Sequence, residues 1–398
     1  MAKLSLVNLL LTLPSIWAAE IYVSPSGSDS AAGTQTAPLK SIQSAIDKAV
    51  AGDTVYLRAG TYTPTANIQI TKSGTSSARY TLAAYSNEAV TIDGESLPNT
   101  PAPVGGSISN ADRGILHVQK ANYWTFKGLT LINGPYGIYV QDSSYGIFDR
   151  LVTHDNYETG FQLQGASAQN QVLWLDSYRN RDPRKNGESA DGFALKEGSG
   201  EGNILRGARL WDNVDDGLDF WEFKSQVTVV DTISWGNGFN RWGFTDFEGD
   251  GNGFKLGGGD AADIGPANHN ITNSIAFGNA AKGFTDNSQT GDFTLLRNTA
   301  WSNADVGFKV SVAVADITSN VAAGNKGTTT NSAQVTLSSS QILSGNSWSG
   351  SSTWTNATFK SVDVGLVKGA RGSDGKIVGS DFLLPTSGSA IGATTHWS

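Results

Sequence analysis

The chain has 398 residues, a net charge of −8, 47 glycines, one methionine and no cysteine. It is long enough to bury a large core in one domain. Disulfides are excluded, and the acidic balance argues against nucleic acid as a partner.

Residues 1–19 read as a secretory signal peptide. Lys3 supplies the positive start, Leu4 to Leu13 the apolar stretch, and Ala18 or Ala19 the small residue at the cut. That stretch is too short for a membrane span. The expectation is a secreted, extracellular protein beginning near Glu20, with no membrane association. Over 20–62, Ile21-Tyr-Val23 reads as a strand and Ser24 to Pro38 as a polar loop. Leu39, Ile42, Ala45, Ile46 and Ala49 then keep helical spacing. Gly52 would end that helix before a strand at Thr54–Leu57. A short amphipathic helix there would cap the open end of a solenoid. Residues 63–132 would form the first coils, with a Pro- and Gly-rich loop from about Glu95 to Asn110.

A repeat then runs through the middle of the chain: apolar–x–Asn–x–x–x–Gly–apolar–x–apolar. Its glycines are Gly137, Gly160, Gly192, Gly217, Gly253, Gly283 and Gly307, each followed by Ile, Leu or Phe. The asparagines are Asn133, Asn156, Asn180, Asn213, Asn237, Asn279 and Asn303; Asn133 to Asn156 is 23 residues and Asn156 to Asn180 is 24. Strand-like alternation at this period signals a solenoid. Val227–Val230 and Phe293–Leu296 have the β-branched and aromatic content of strands. The fold expected is all-β: a right-handed parallel β-helix with a short N-terminal capping helix, one domain over 20–398. The asparagines would stack as a ladder in one turn. The glycines would serve positive φ or close backbone approach. Residues 311–398, rich in Ser, Thr and Gly, would form the last coils and an irregular tail.

Two insertions interrupt the repeat, Arg181 to Asp191 and Gly238 to Asn252. They bracket the coil that carries Asp215, Asp216 and Asp219, and would wall a groove with those aspartates at its floor. Counting from the repeat glycines puts Asp191, Asp216 and Asn252 in one column and Ala194, Asp219, Lys255, Thr285 and Lys309 in another. Lys255 would lie one coil, roughly 5 Å, from Asp219. Four converging carboxylates repel unless something uses them. A hard cation such as calcium, taking about 6–8 oxygen ligands, resolves the conflict. A single Asp-Gly pair would read as an ordinary turn; four aspartates in register beside the largest loops read as a site. Lys255 has two readings. It is a salt-bridge partner of Asp219, or a base that removes the proton beside a substrate carboxylate held by calcium, giving β-elimination at a uronic acid. Asp246–Gly257 superficially imitates a calcium loop but has glycine in place of the closing Glu. His117, His154, His269 and His396 show no zinc spacing.

The blocks Ser189-Ala-Asp191-Gly-Phe, Asn213-Val-Asp-Asp-Gly-Leu-Asp219 and Gly251-Asn-Gly-Phe-Lys255-Leu-Gly-Gly resemble the signatures of the family 9 polysaccharide lyases, the pectate lyase type. The blocks Ile21–Asp29 and Gly52–Leu57 are similar to that family's first coil, though many β-helix proteins share them. The resemblance covers most of residues 20–310. It implies calcium bound by Asp191, Asp215, Asp216 and Asp219, Lys255 as the base, and polygalacturonate of plant cell walls as substrate.

An anionic polymer on an acidic protein needs local cations. Lys224, Arg241, Lys282 and Lys309 fall in or near the expected groove by repeat position, and Trp221 and Trp242 could stack on sugar rings. Three rival readings stay open: a lyase on another uronic-acid polymer such as rhamnogalacturonan, a β-helix glycoside hydrolase using two of the carboxylates, and a non-catalytic carbohydrate-binding solenoid. A monomer is expected.

Overall fold

The computed structural model describes residues 18–260, 263–388 and 391–397. The expected signal peptide therefore falls almost wholly outside the described residues. The strands form three sheets, one of twelve strands and two of ten, and every registered pair within them is parallel. Consecutive strands visit the sheets in turn. Ile138–Gln141, Ile147–Asp149 and Val152–His154 lie one on each sheet, and Phe161–Gly165 returns to pair with Ile138–Gln141. This is the β-helix that the repeat implies.

The period follows from packing. The residue after each repeat glycine points inward: Ile138, Phe161, Phe193, Leu218, Phe254, Phe284 and Phe308 are all buried. Phe254 and Phe284 stack at 4.5 Å, and Phe284 and Phe308 at 4.8 Å. That spacing is set by the strand separation of the sheet, so each ring packs on the ring one coil away. Burying each such side chain stabilises the fold by about 1.5–3 kcal/mol. The repeat glycines do not have positive φ; they are glycines because of close approach. A Cβ on Gly253 would sit 2.7 Å from the Gly283 carbonyl oxygen and 2.9 Å from Asn279 Nδ2.

Those amides belong to the asparagine ladder. Asn156, Asn180, Asn213, Asn237, Asn279, Asn303 and Asn325 are linked in series, each Oδ1 from Asn180 onward accepting the backbone N–H of the asparagine one coil before. Gln334 closes the series, its Oε1 accepting from Asn325 N. Asn133 is not a member. Its backbone takes φ 54°, its side chain turns to Asp93, and Gly134 N occupies the ladder position against Asn156 Oδ1. A second ladder at another turn joins Asn298, Asn320 and Asn346. The sequence reading missed it because no glycine motif accompanies it.

The capping helix spans Ile42–Lys48 and buries Ile42, Ala45 and Ile46; Ser41 caps its start by accepting from Ser44 N. It ends at Lys48, before Gly52. Among the described residues, no helix is long and apolar enough to cross a membrane. The C-terminal tail lies on the outer face of the third sheet. Phe359, Val367, Phe382 and Trp397 pack there with Ile233, Trp235, Ile275 and Phe277. Arg371 pins the tail by an ion pair to Asp176 at 2.6 Å.

Candidate active site

The site lies on the outer face of one ten-stranded sheet, where Phe193–Gly198, Leu218–Asp219, Phe254–Lys255 and Phe284–Thr285 are consecutive neighbours. The register pairs Ala194 with Asp219, Asp219 with Lys255, Lys255 with Thr285 and Thr285 with Lys309. Alternation along each short strand then fixes direction. The apolar residue goes into the core and the next residue faces out.

Asp191, Asp215, Asp216, Asp219 and Lys255 are brought together, all buried. Lys255 Nζ is 3.2 Å from Asp216 Oδ2 and 3.6 Å from Asp219 Oδ2. Backbone and side-chain donors hold the carboxylates. Asn252 donates to Asp216 Oδ1 from its backbone N at 2.6 Å and from Nδ2 at 2.9 Å. Asp250 N donates to Asp215 Oδ1 at 2.6 Å, and Thr159 Oγ1 donates to Asp191 Oδ2 at 3.4 Å.

Two members of the cluster were not picked out from sequence. Lys196 Nζ bridges Asp191 Oδ2 at 2.8 Å and Asp219 Oδ2 at 2.7 Å. It lies on the strand beside Gln164 and carries no motif of its own. Asp250 Oδ2 pairs with Lys255 Nζ at 2.8 Å. Asp250 stands five residues before Lys255 in the second insertion, and that proximity to the lysine was the available signal.

Five carboxylates thus face two ammonium groups. The imbalance appears in their proton affinities. Burial pushes Asp191 up to about 7, with Asp219 and Asp216 adding to the effect and Lys196 opposing it. Burial pushes Asp216 up to about 6, against the pull of Lys255. Asp215 is raised well above the usual carboxylate range by burial, then by Asp216 and Asp191. For Lys255, burial pulls down, but Asp219, Asp216, Asp215 and Asp250 outweigh it and hold the ammonium above the ordinary lysine range.

The donor set fits a hard divalent cation. Asp191, Asp216 and Asp219 each offer an oxygen within 4.8 Å of the others, and Asp215, Asp216 and Asp250 form a second such group sharing Asp216. Asp215 Oδ2 and Asp219 Oδ1 are buried without a hydrogen-bond partner. Orphaned buried carboxylate oxygens are costly unless an ion takes them. All the donors are oxygens, which suits calcium.

Beside the cluster opens a cavity of about 570 Å³, lined by Lys255, Asp219, Lys196, Asp250 and Trp221 at one end and Arg113 at the other. The two insertions meet over it, Glu248 N donating to Asn186 O at 3.1 Å. The Glu95–Asn110 loop joins the wall: Gly105 N donates to Arg184 O at 2.8 Å, and Arg184 Nη1 donates to Gly106 O. The Trp221 ring lies 5.4 Å from Lys255 Nζ.

Three of the four cations expected to hold substrate carry ion pairs of their own. Among the described residues lining the cavity, Lys224, Arg241, Lys282 and Lys309 do not appear. Lys224 pairs with Asp263 at 3.7 Å, Arg241 with Asp212 at 2.7 Å, and Lys282 with Asp305 at 3.8 Å. Lys309 stands two strands beyond Lys255 in the outward column. Trp242 is in the exposed part of the second insertion near Phe244. Repeat position sets the outward column that holds Lys309, whereas Arg241 and Trp242 lie in the second insertion, whose path no repeat dictates.

Over residues 21–331 the sequence matches the family described as "Pel9A-like, right handed beta helix region". A relative from Emericella nidulans, "Pectate lyase PEL9", is 64% identical over 97% of each chain. The chain belongs to this family. It is therefore a right-handed parallel β-helix and an enzyme of the family 9 polysaccharide lyases. "Pectate lyase L" of Dickeya chrysanthemi is 34% identical, over 94% of this chain and 85% of the relative. Among solved structures, that of pectate lyase Pel9A matches with a TM-score of 0.78 at 31% identity, over 96% of this chain and 94% of that one. A structure named "Rhamnogalacturonan lyase" matches with a TM-score of 0.80 at 24% identity and speaks for the fold alone.

Proposed function

We propose that this family member is a secreted, calcium-dependent pectate lyase that cleaves polygalacturonate by β-elimination, with Lys255 as the general base. The observation that carries the reading is the contact of Lys255 with Asp216 and Asp219 at 3.2 and 3.6 Å, on a carboxylate cluster with orphaned buried oxygens, at the floor of a polar cavity. Asp191, Asp215, Asp216 and Asp219 would hold the ion. Bound calcium would neutralise these carboxylates and draw electron density from the substrate carboxylate, acidifying C5 of the uronic acid.

The protein's own part is the proton and its direction. Lys255 is charged while the aspartates are uncompensated, and a charged lysine cannot accept a proton. Compensation of the aspartates removes what holds the proton on Nζ and leaves burial, which favours the neutral amine. Neutral Nζ takes the C5 proton. The C5–H electrons become the C4–C5 double bond, the C4–O bond breaks, and the departing oxygen takes a proton from water. Asp216 and Asp219 keep Nζ pointed at the cavity, and Trp221 covers its flank.

The test is ultraviolet absorbance of the unsaturated uronide on polygalacturonate, with calcium and then with chelator, for the wild type and Lys255→Ala. A rise that needs both calcium and Lys255 is expected, with Lys255→Ala lowering kcat by about 10²–10⁴-fold. New reducing ends without absorbance would mean hydrolysis, and no product at all would mean a binding solenoid.

A further inference from the structure

Arg184 and Lys185, Lys196 and Lys255 line the cavity, but each already has a carboxylate. Arg184 is bidentate to buried Glu158. Lys185 pairs with Glu188, Lys196 with Asp191 and Asp219, and Lys255 with Asp216, Asp219 and Asp250. Arg113 differs. Among the described residues no carboxylate oxygen comes within the 4.0 Å of an ion pair with it. Neutral groups hold its guanidinium instead: Nη1 donates to Tyr139 Oη at 3.1 Å and to Gln164 Oε1 at 3.4 Å, and the group lies 5.4 Å from the Tyr139 ring centre. Its Nε is buried with no partner. A partly buried, oriented and charge-unpaired guanidinium facing a polar cavity is built to receive an anion.

The place of Arg113 decides which anion. Tyr139 belongs to the same outward column as Lys255, through the register Tyr139, Gln162, Ala194, Asp219, Lys255. Four strand steps separate them, about 19 Å along the sheet at 4.8 Å per step. Between them the sheet presents amides, with one carboxylate tied to them: Gln162 Nε2 donates to Gln164 Oε1 at 2.9 Å, Tyr139 Oη donates to the same oxygen at 2.7 Å, and Gln164 Nε2 donates to Glu197 Oε2. A charge at one end, amides between, and the acid–lysine cluster at the other make a track for a chain carrying carboxylates at intervals, with hydroxyls between.

Resting on the reading of the site as a polyuronate lyase, we propose that Arg113 binds a carboxylate of the substrate several sugar units from the scissile bond and sets a distal subsite on the N-terminal side of Lys255. Arg113 is a specificity residue that never touches the reacting atoms. A distal subsite contributes only when the substrate is long enough to reach it.

The experiment is kcat/KM of wild type, Arg113→Gln and Arg113→Lys on oligogalacturonates from dimer to hexamer and on the polymer, read by absorbance of the unsaturated product. Arg113→Gln should lower kcat/KM about 10- to 100-fold on the hexamer and polymer, the worth of a hydrogen bond to a charged group, mainly through KM. Its rate on the shortest cleaved oligomer should match wild type, and Arg113→Lys should recover part of the loss. An equal loss at every length, or none at the hexamer, overturns the subsite while wild-type turnover keeps the lyase reading. If the wild type yields no unsaturated product from any uronide, the lyase reading fails and the subsite with it. Activity of Arg113→Gln on the short oligomer reports that the variant is folded.

Discussion

Asp219 and Lys255 are Cα partners on adjacent parallel strands, and their side chains meet at 3.6 Å. The contact is a consequence of the coil: the residue two after the glycine faces out in both copies, so one sheet spacing separates an acid from an ammonium. Asp250 reaches to 2.8 Å of Nζ from the second insertion, outside the repeat.

Asp250 is the member of this set that is exposed, so its hold on the lysine is moderate. Replacing it in Asp250→Asn removes one group that keeps the proton on Nζ. The apparent pKa of the ascending, acid-side limb of the pH–rate profile should fall by about 0.2–0.7 unit, the range of a solvent-exposed ion pair, moving activity to lower pH. A profile of kcat against pH at saturating calcium checks this. A limb that moves upward would contradict the assignment of Lys255 as the base.

The carboxylates make a second pH prediction, for stability. Asp191 and Asp216 are raised to about 7 and about 6 by burial, against 3.8 when unfolded. The folded protein thus binds more protons than the unfolded chain between these values. The stability they contribute is complete below about pH 4 and is lost as pH rises toward 7. Chelated protein should therefore melt at progressively lower temperature from pH 4 to 7. Calcium should flatten that slope by taking the deprotonated oxygens, and Asp191→Asn should flatten it without calcium. Melting curves across pH, with and without chelator, give the answer.

The β-helix was legible in the sequence because a solenoid repeats its constraints: the core column from Ile138 to Phe308, the close-approach glycines and most of the asparagine ladder all recur at one period. The floor of the site was legible for the same reason, since Asp191, Asp216, Asp219 and Lys255 sit at fixed offsets from repeat glycines. What lies outside the period was not. Lys196 arrives at the cluster from a strand position with no motif, and its role depends on a side chain reaching across to Asp219. Asp250 and Arg184 come from insertions whose path no repeat dictates. Asn133 fits the motif yet loses its ladder place to Gly134, because the coil there closes one residue differently.

Lys196 does for Asp191 and Asp219 what a metal ion would do for them, at 2.8 and 2.7 Å. Lys196→Met keeps most of the side chain's length and removes the charge, leaving two buried carboxylates facing each other. Breaking a buried pair costs about 3–5 kcal/mol, so the chelated variant should melt well below wild type. Calcium should restore more of the melting temperature in the variant than it adds to wild type. Equal calcium shifts in the two proteins would mean that Lys196 and the ion do not share these oxygens.

The ladder offers a prediction that does not depend on the reaction. Asn237 Oδ1 accepts from Asn213 N and Nδ2, both at 3.0 Å, and its own Nδ2 donates to Asn279 Oδ1 at 2.9 Å and Ser234 Oγ at 3.0 Å. Asn237→Ala would strand these groups in a buried turn directly behind Asp215 and Asp216, at a cost of about 2–4 kcal/mol. Asn133→Ala should cost about 1 kcal/mol, the strain of a Cβ at φ 54° without a local side-chain bond. Denaturant melts of the two variants in calcium should separate by that margin. Equal losses would show that membership of the ladder adds nothing beyond the turn itself. In Asn237→Ala the calcium requirement for activity should also rise, because the coil it supports carries the carboxylates, whereas Asn133→Ala lies coils away and should leave that requirement unchanged.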